Sequence, residues 1–236
     1  MEKWKEDDFH TLSKKLSEQE FFDYFSARAT EIGFEYCSFG MALPLPLNNP
    51  KFIVHNNYPE KWWLIYQSKN YLSVDPTVRH GLSSVAPILW NEKTFVAAPE
   101  MWEDAREHGL NYGWAQPARD TRGTIGMVSL SRSVEDVDAD ELDRHLARMQ
   151  HISQLLLLGM TDLILPKEFP ESLAHLTLRE REVMRWTADG KTSYEIGRIL
   201  IISVSTVNFH INNAIEKLNA VNKIQAVVKA AMLGLL

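Results

Sequence analysis

The sequence has little of what secreted and membrane-bound proteins need. It contains one cysteine, Cys37, among 236 residues, so no disulfide can form within the chain and a reducing compartment is expected. Its apolar runs, such as Leu155–Leu158, are far too short to cross a bilayer, and the first residues, MEKWKEDDF, lack the apolar core of a signal peptide. With 45% hydrophobic and 24% charged residues, the composition is that of a globular protein. We therefore expect a cytoplasmic chain without membrane contact.

Charge is distributed unevenly along the chain. The net charge of −6 argues at first against a nucleic-acid partner. Residues 1–172, however, carry 17 basic and 26 acidic side chains, whereas residues 173–236 carry 8 and 5. An acidic body followed by a mildly basic tail predicts two modules that have different partners.

The N-terminal part mixes helical and strand-like patterns. Helical periodicity spans Phe9–Ile32, where Ser17 suits the N-cap of a helix that starts near Glu18, and a further helix is predicted at Pro99–His108. Strand-like segments, separated by proline and glycine, lie at Cys37–Ala42, Phe52–Asn56 and Thr124–Ser131. Helices around a mainly hairpin-connected sheet predict an α+β domain built as an α/β/α sandwich.

A long amphipathic helix is predicted at Asp138–Leu165, because apolar residues recur there at steps of three and four. It could pack on its own sheet or against a partner helix across a dimer axis. Pro166 is expected to end the helix, and the prolines of residues 166–173 indicate a short linker. The predicted first domain is therefore residues 1–165.

Residues 174–236 change to short helices without strand patterns. Thr177 suits the N-cap of a helix that runs to about Ala188, Thr192 or Ser193 starts a second through Leu200, and Ser203 caps a third. The fourth is predicted at Asn222–Leu233. One face of the third helix carries Val207, Ile211, Ala214 and Leu218, and the opposite face carries Ser205, Asn208 and Asn212. The pattern predicts an all-α helix-turn-helix domain.

Patterns typical of enzymes are absent from the sequence. Gly190-Lys191-Thr192 resembles the end of a phosphate-binding P-loop, but Arg185 stands where that motif needs glycine. The residues around Ser129 do not form the G-x-S-x-G motif of a nucleophile elbow. The eight histidines include no H-E-x-x-H motif, and one cysteine excludes a cysteine-rich zinc site. We expect no catalytic residue, no metal and no cofactor.

The C-terminal segment carries a characteristic set of residues at Leu176-Thr177, Arg179-Glu180-Arg181-Glu182, Gly190-Lys191-Thr192, Glu195-Ile196, Ile202-Ser203, Thr206-Val207, His210, Asn213, Lys217-Leu218 and Gln225-Ala226. In these positions it resembles the DNA-binding domain of the LuxR family. Met184, Gly197 and Ala214 depart from the family pattern, and all three are changes of core volume.

The resemblance implies that the third helix enters the major groove of double-stranded DNA. Asn208 and Asn212 would then read bases from one face that also carries Ser205. Lys191 and Thr192, at a helix N-terminus, and Lys217 suit phosphate contacts. The alternative is that both asparagines are only solvated surface residues. Since the basic excess is small, we expect binding as a homodimer on a two-fold site.

This DNA-binding module also follows phosphorelay receiver domains, but the βαβ repeat of a receiver is absent and Asp7-Asp8 lies in a helix-like segment. Residues 15–165 instead resemble the autoinducer-binding domain of quorum-sensing LuxR-type regulators. The matching residues are Tyr58-Pro59, Trp62, Tyr66, Tyr71, Val74-Asp75-Pro76-Thr77-Val78, Pro87-Ile88, Trp90, Trp102, Ala105, Gly109, Gly113, Pro117, Gly126 and Ser129.

This second resemblance implies an N-acyl homoserine lactone as the ligand. Asp75 would accept the amide N–H, Trp62 would donate to the lactone carbonyl, and the hydroxyls of Tyr58 and Ser129 would reach the acyl carbonyl. The expected walls for ring and chain are Tyr66, Val78, Trp90, Phe95, Trp102 and Ala105. For the larger aromatic residues, ordinary core packing is an equal alternative.

The sequence as a whole therefore resembles a ligand-responsive transcription regulator that binds a palindromic promoter site, with RNA polymerase as a further candidate partner. Two other functions stay open. A lactone-degrading enzyme would need a metal cluster or an activated nucleophile. A ligand-independent regulator would act by forming heterodimers with another regulator.

Overall fold

The computed structural model describes residues 16–236 and divides them into two compact units. The first unit contains residues 16–43, 50–120 and 124–163, and the second contains residues 44–49, 121–123 and 164–236. Asp7-Asp8 and the start of the helical pattern at Phe9 lie outside the described residues. The functional division at residues 165 and 174 stays a prediction.

The first unit is built on a five-stranded antiparallel sheet. Its strands are β1 (Tyr36–Ala42), β2 (Phe52–Asn56), β3 (Ile88–Leu89), β4 (Tyr112–Arg119) and β5 (Ile125–Arg132), in the spatial order β2-β1-β5-β4-β3. Three of them lie where the sequence predicts strands. The pattern does not predict β4, because Pro117 interrupts it. The sheet tolerates this proline because β3 pairs only with Trp114 and Ala115 of β4.

Helices cover both faces of this sheet. They are α1 (Glu18–Thr30), α2 (Glu60–Ser68), α3 (Pro76–Ser83), α4 (Pro99–Glu107) and α5 (Ala139–Glu168), with a 3₁₀ turn at Tyr71–Ser73. Ser17 caps α1 in a capping box with Glu20, as predicted. On α5, a Cβ at Gly159 would lie within 2.1 Å of the Phe21 ring, so only glycine lets α1 approach so closely. The predicted α+β class with a sandwich is confirmed.

The predicted end of the long helix is wrong. Pro166 lies inside α5, which continues to Glu168 and is followed by a 3₁₀ turn at Pro170–Leu173. A proline removes one backbone donor and crowds the preceding turn, so it usually kinks or ends a helix, and α5 continues only two residues beyond Pro166. The amide of Phe169 still donates to the carbonyl of Leu165 at 2.8 Å. Residues 166–168 are therefore helical.

The C-terminal part of the second unit is all-α. Its helices are α6 (Leu178–Ala188), α7 (Ser193–Leu200), α8 (Val204–Lys217) and α9 (Lys223–Met232), capped by Thr177, Thr192, Ser203 and Asn222. Val207, Ile211, Ala214 and Leu218 of α8 are buried, as its periodicity predicts. Between α7 and α8, Ile201 adopts a left-handed conformation with φ of 56°. The predicted helix-turn-helix architecture is confirmed.

Candidate functional site

A cavity of about 90 Å³ opens on the face of the sheet that α2, α3 and α4 cover. The residues predicted to contact a ligand come from six different elements and loops of the chain. All ten line this one cavity: Tyr58, Trp62, Tyr66, Asp75, Val78, Trp90, Phe95, Trp102, Ala105 and Ser129. The structure therefore brings the predicted residues together.

Asp75 lies at the polar end of the cavity and is only 7% exposed. It is the N-cap of α3, where its Oδ1 accepts bonds from the amide of Thr77 at 2.8 Å and the hydroxyl of Thr77 at 2.7 Å. Its Oδ2 accepts a bond from the Tyr66 hydroxyl at 2.9 Å. A carboxylate has about four acceptor positions, so Oδ2 has room for one more donor.

The electrostatics of Asp75 favour a ligand that donates a hydrogen bond. Burial raises the pKa of the Asp75 carboxyl, and the bonds from Thr77, from Tyr66 and from the amide of Val78 oppose that rise. A buried carboxylate without full solvation is costly, so another hydrogen bond to Oδ2 would stabilise the charged form.

Further hydroxyl groups line the same cavity as this carboxylate, on Ser38, Tyr58 and Ser129. Burial raises the pKa of Tyr58 well above its ordinary value, with smaller contributions from Cys37 and Asp75, so its hydroxyl stays protonated. Ser38 on β1 and Ser129 on β5 are direct cross-strand partners and are both more than nine-tenths buried. Ser38 was not predicted as a site residue, although the alternation of Cys37–Ala42 is the signal that places it on the cavity face.

Aromatic rings form one wall of the cavity and also belong to a core cluster. Phe95 and Trp102 stack with centroids 4.4 Å apart, and Trp90 meets Phe95 edge-on at 6.0 Å. Core packing and cavity lining, the two alternatives for these rings, are therefore both true. The indole nitrogens of Trp90 and Trp102 are buried and have no hydrogen-bond partner among residues 16–236. Each can donate to an acceptor.

The other end of the cavity is apolar, and the strand residues that form it were not predicted. From the serine pair, the same faces of β1, β2 and β5 continue to Gly40, Val54 and Met127, and then to Ala42, Phe52 and Ile125. Four residues along a strand span about 13 Å. The cavity therefore suits an elongated molecule that has a polar head and an apolar tail.

Five of the six predicted DNA-contacting residues lie on α8 or at the start of α7, which a hydrogen bond joins to α8. Ser205, Asn208 and Asn212 are exposed on α8, and the Ser193 hydroxyl donates to Asn208 Oδ1 at 2.8 Å. At the start of α7, the amide and hydroxyl of Thr192 both donate to Glu195 Oε2 at 2.8 Å. That carboxylate occupies the position expected for a phosphate, beside Lys191.

Lys217 lies apart from the other predicted DNA-contacting residues. It is the last residue of α8, about 18 Å along the helix from Ser205. Its Nζ donates to Glu180 Oε2 at 2.7 Å and to the carbonyl of His175 at 3.2 Å. Because the Glu180 carboxylate is 4% exposed, Lys217 has a structural role that the sequence reading missed.

No helix among residues 16–236 is long and apolar enough to cross a membrane. No group of three histidine, cysteine, aspartate or glutamate side chains in the same range could hold a metal ion.

Both units contain a segment that matches a known protein family. Residues 17–159 match the autoinducer binding domain family, and residues 174–230 match the bacterial regulatory proteins of the luxR family. The chain is 41% identical to the transcriptional activator protein AnoR of Acinetobacter nosocomialis over the full length of both. It is 38% identical to the HTH-type quorum-sensing regulator RhlR of Pseudomonas aeruginosa, over 87% of this chain and 85% of RhlR.

Solved structures agree with these matches. A crystal structure of Escherichia coli SdiA superposes with a TM-score of 0.79 at 33% identity, covering 97% of this chain and 98% of SdiA. SdiA in complex with octanoyl-rac-glycerol superposes with a TM-score of 0.78 at 32% identity, covering 100% and 98%.

Proposed function

Because the chain belongs to the LuxR family of autoinducer-binding transcription regulators, we propose that it senses an N-acyl homoserine lactone and binds a palindromic promoter site as a homodimer. The relatives are transcription regulators, which confirms the prediction that the chain is not an enzyme. An autoinducer is a ligand of such a protein and not a cofactor.

The ligand proposal rests on the two ends of the cavity, one polar and the other apolar. An acyl-homoserine lactone has one amide N–H, several carbonyl acceptors and an apolar chain. Asp75 Oδ2 can accept the N–H, and the hydroxyls of Tyr58 and Ser129 can donate to the acyl carbonyl. The Trp62 indole, in the aromatic wall, is the proposed donor to the lactone carbonyl. The acyl chain would then lie along Gly40 and Ala42 towards the apolar end.

A monoacylglycerol is a second candidate ligand. SdiA, a related protein, has been solved in complex with octanoyl-rac-glycerol. Glycerol hydroxyls can donate to Asp75 as the lactone amide can, and the same apolar end accepts an acyl chain. The two head groups differ in their acceptors, since a lactone places a ring carbonyl against the aromatic wall.

The DNA proposal is supported by the exposed polar face of α8. Asn208 and Asn212 lie one turn apart, and an asparagine amide can bond N6 and N7 of adenine together. A single unit with a small basic excess would hold DNA weakly, so we propose that two copies bind two half-sites. RNA polymerase is the further partner proposed for a promoter-bound regulator.

The test is a ligand screen on the full-length chain. Acyl-homoserine lactones from butanoyl to dodecanoyl and 1-octanoylglycerol are each added while melting temperature, oligomeric state and affinity for a randomised duplex library are measured. A lactone that raises all three supports the proposal, and one that is consumed would indicate an enzyme. If no lactone shifts melting or DNA affinity, the ligand assignment is wrong. A chain that pairs only with another regulator would favour the heterodimer alternative.

A further inference from the structure

Phe209 stands at the centre of the outward face of α8. Ser205, Phe209 and Asn212 are spaced i, i+4 and i+7, which places them in one line along the helix. The buried residues Val207 and Ile211 lie on the opposite side. A large aromatic ring is therefore set among the polar side chains that are proposed to face DNA.

The Phe209 ring contributes little to the folded unit. It is 60% exposed, and it belongs to neither of the buried clusters that hold α8 to its neighbours. Among residues 16–236, its one aromatic contact is with His210 on the same helix, at 5.6 Å between ring centroids. Isolated exposed apolar residues are common on protein surfaces, so position rather than exposure makes this ring informative.

The chemistry of the surrounding face restricts what it can read. Ser205, Asn208 and Asn212 are neutral, and the one lysine of α8 is paired with Glu180. Arginine or lysine is the usual reader of guanine, whereas asparagine reads adenine. Among the four bases, only thymine presents an apolar group, its C5-methyl, in the major groove. An aromatic ring beside two asparagines therefore matches an A·T-rich sequence.

We infer that Phe209 is a specificity-determining residue that packs on the C5-methyl group of a thymine in each half-site. The inference rests on the proposed function, because α8 must enter the major groove for the contact to form. The thymine lies next to an adenine that Asn208 or Asn212 binds. Phe209 thus supplies an apolar contact in a recognition face that otherwise forms hydrogen bonds.

Replacing thymine by deoxyuridine tests this contact, because it removes the methyl group and leaves every hydrogen bond of the base pair. A site is first selected from the randomised duplex library with the full-length, ligand-bound chain, and each thymine is then replaced in turn. One methyl group buried by contact is worth about fourfold in affinity per half-site. We expect one thymine position per half-site to show this loss with the unchanged chain.

Phe209→Ala should bind the thymine and uracil duplexes equally at that position. Phe209→Leu, which keeps an apolar side chain, should retain most of the methyl sensitivity. Leu178→Ala removes another exposed apolar residue, 80% exposed on α6, and should leave the sensitivity unchanged. Thermal melting of each variant controls for folding, and the exposure of Phe209 makes the folded state tolerant of its removal.

Two results would overturn the inference. The first is a selected site in which no thymine responds to loss of its methyl group. The second is an equal loss in the unchanged chain and in Phe209→Ala. Failure of the unchanged chain to bind any duplex is a different result, since it would contradict the proposed function.

Discussion

Replacing Asp75 by asparagine should separate ligand binding from folding. Asparagine is as good an N-cap as aspartate, so Oδ1 can still accept the two bonds from Thr77. The Tyr66 hydroxyl can reverse its bond and accept from the new amide. A ligand N–H, however, would meet an NH₂ group instead of a carboxylate oxygen, so donor would face donor.

The ligand-free variant should be at least as stable as the parent at neutral pH. Burial raises the pKa of Asp75, so the folded chain binds its proton more tightly than the unfolded chain does. The stability that this group contributes is present at acidic pH and is lost as pH rises through the folded-state pKa. Asparagine carries no charge to bury, so this pH-dependent loss disappears in the variant.

The effect on binding can be estimated. A ligand at one hundred times its Kd stabilises the fold by about 2.7 kcal/mol, which corresponds to roughly 5–10 °C in Tm for a domain of this size. Losing a hydrogen bond to a charged acceptor costs about 1.5–3 kcal/mol, which is a rise of about 10- to 100-fold in Kd. At the upper limit the ligand then adds only about 0.4 kcal/mol.

Thermal melting with and without the lactone that the screen identifies measures both effects. Asp138→Asn is the matched control, because Asp138 Oδ1 accepts a bond from the amide of Glu141 at 2.7 Å and the residue does not line the cavity. The control should keep the full ligand shift. An Asp75→Asn variant that keeps the full shift, or that unfolds without ligand, would refute this reasoning.

Three further substitutions test other parts of the structure. Ile201→Gly should stabilise the chain by about 1 kcal/mol in denaturant melts, because glycine adopts the left-handed conformation without strain; a loss of stability would contradict this. Lys217→Met should destabilise by about 1–3 kcal/mol at pH 7, since it leaves the buried Glu180 carboxylate without this donor. The pKa of Glu180 is lowered despite its burial, so this difference should shrink as pH falls through that pKa, which acid titration checks. A Cβ at Gly40 would lie 3.9 Å from Val54, so Gly40→Val fits the fold but crowds the apolar end of the cavity. In competition binding, it should weaken the binding of dodecanoyl lactone about tenfold or more and change the binding of butanoyl lactone little.

Local features of the fold could be predicted from the sequence because their causes are local. The caps at Ser17, Thr177 and Ser203 depend on a side chain and a backbone amide three residues later. The end of α5 was mispredicted because the proline was expected to end the helix. Proline at position 166 removes one donor near the helix end, and the neighbouring bond from Phe169 to Leu165 maintains the last turn.

Features that depend on strand register could not be predicted. The pairing of Ser38 with Ser129, and of Gly40 with both Val54 and Met127, aligns residues that are far apart in sequence. The family resemblance therefore predicted the residues at the polar end of the cavity. The residues at its apolar end could be identified only from the register of β1, β2 and β5. Strand β4 was missed because the sequence does not show on which side a proline lacks a strand partner. Pro117 pairs with Met127 of β5, and β3, on the other side, pairs only with Trp114 and Ala115.

The small basic excess of the C-terminal segment lies largely outside the reading face. Lys217 is paired with Glu180 and Lys229 with Glu171, and the outward face of α8 carries no basic residue, while its line of side chains ends at the exposed Glu216. In the proposed complex, discrimination between sequences depends on asparagine amides and the Phe209 ring, whereas attraction to phosphates is weak for one copy. Two copies on one duplex add their binding free energies without new charges. A ligand that favours the dimer therefore changes DNA occupancy more than it changes any single protein–DNA contact.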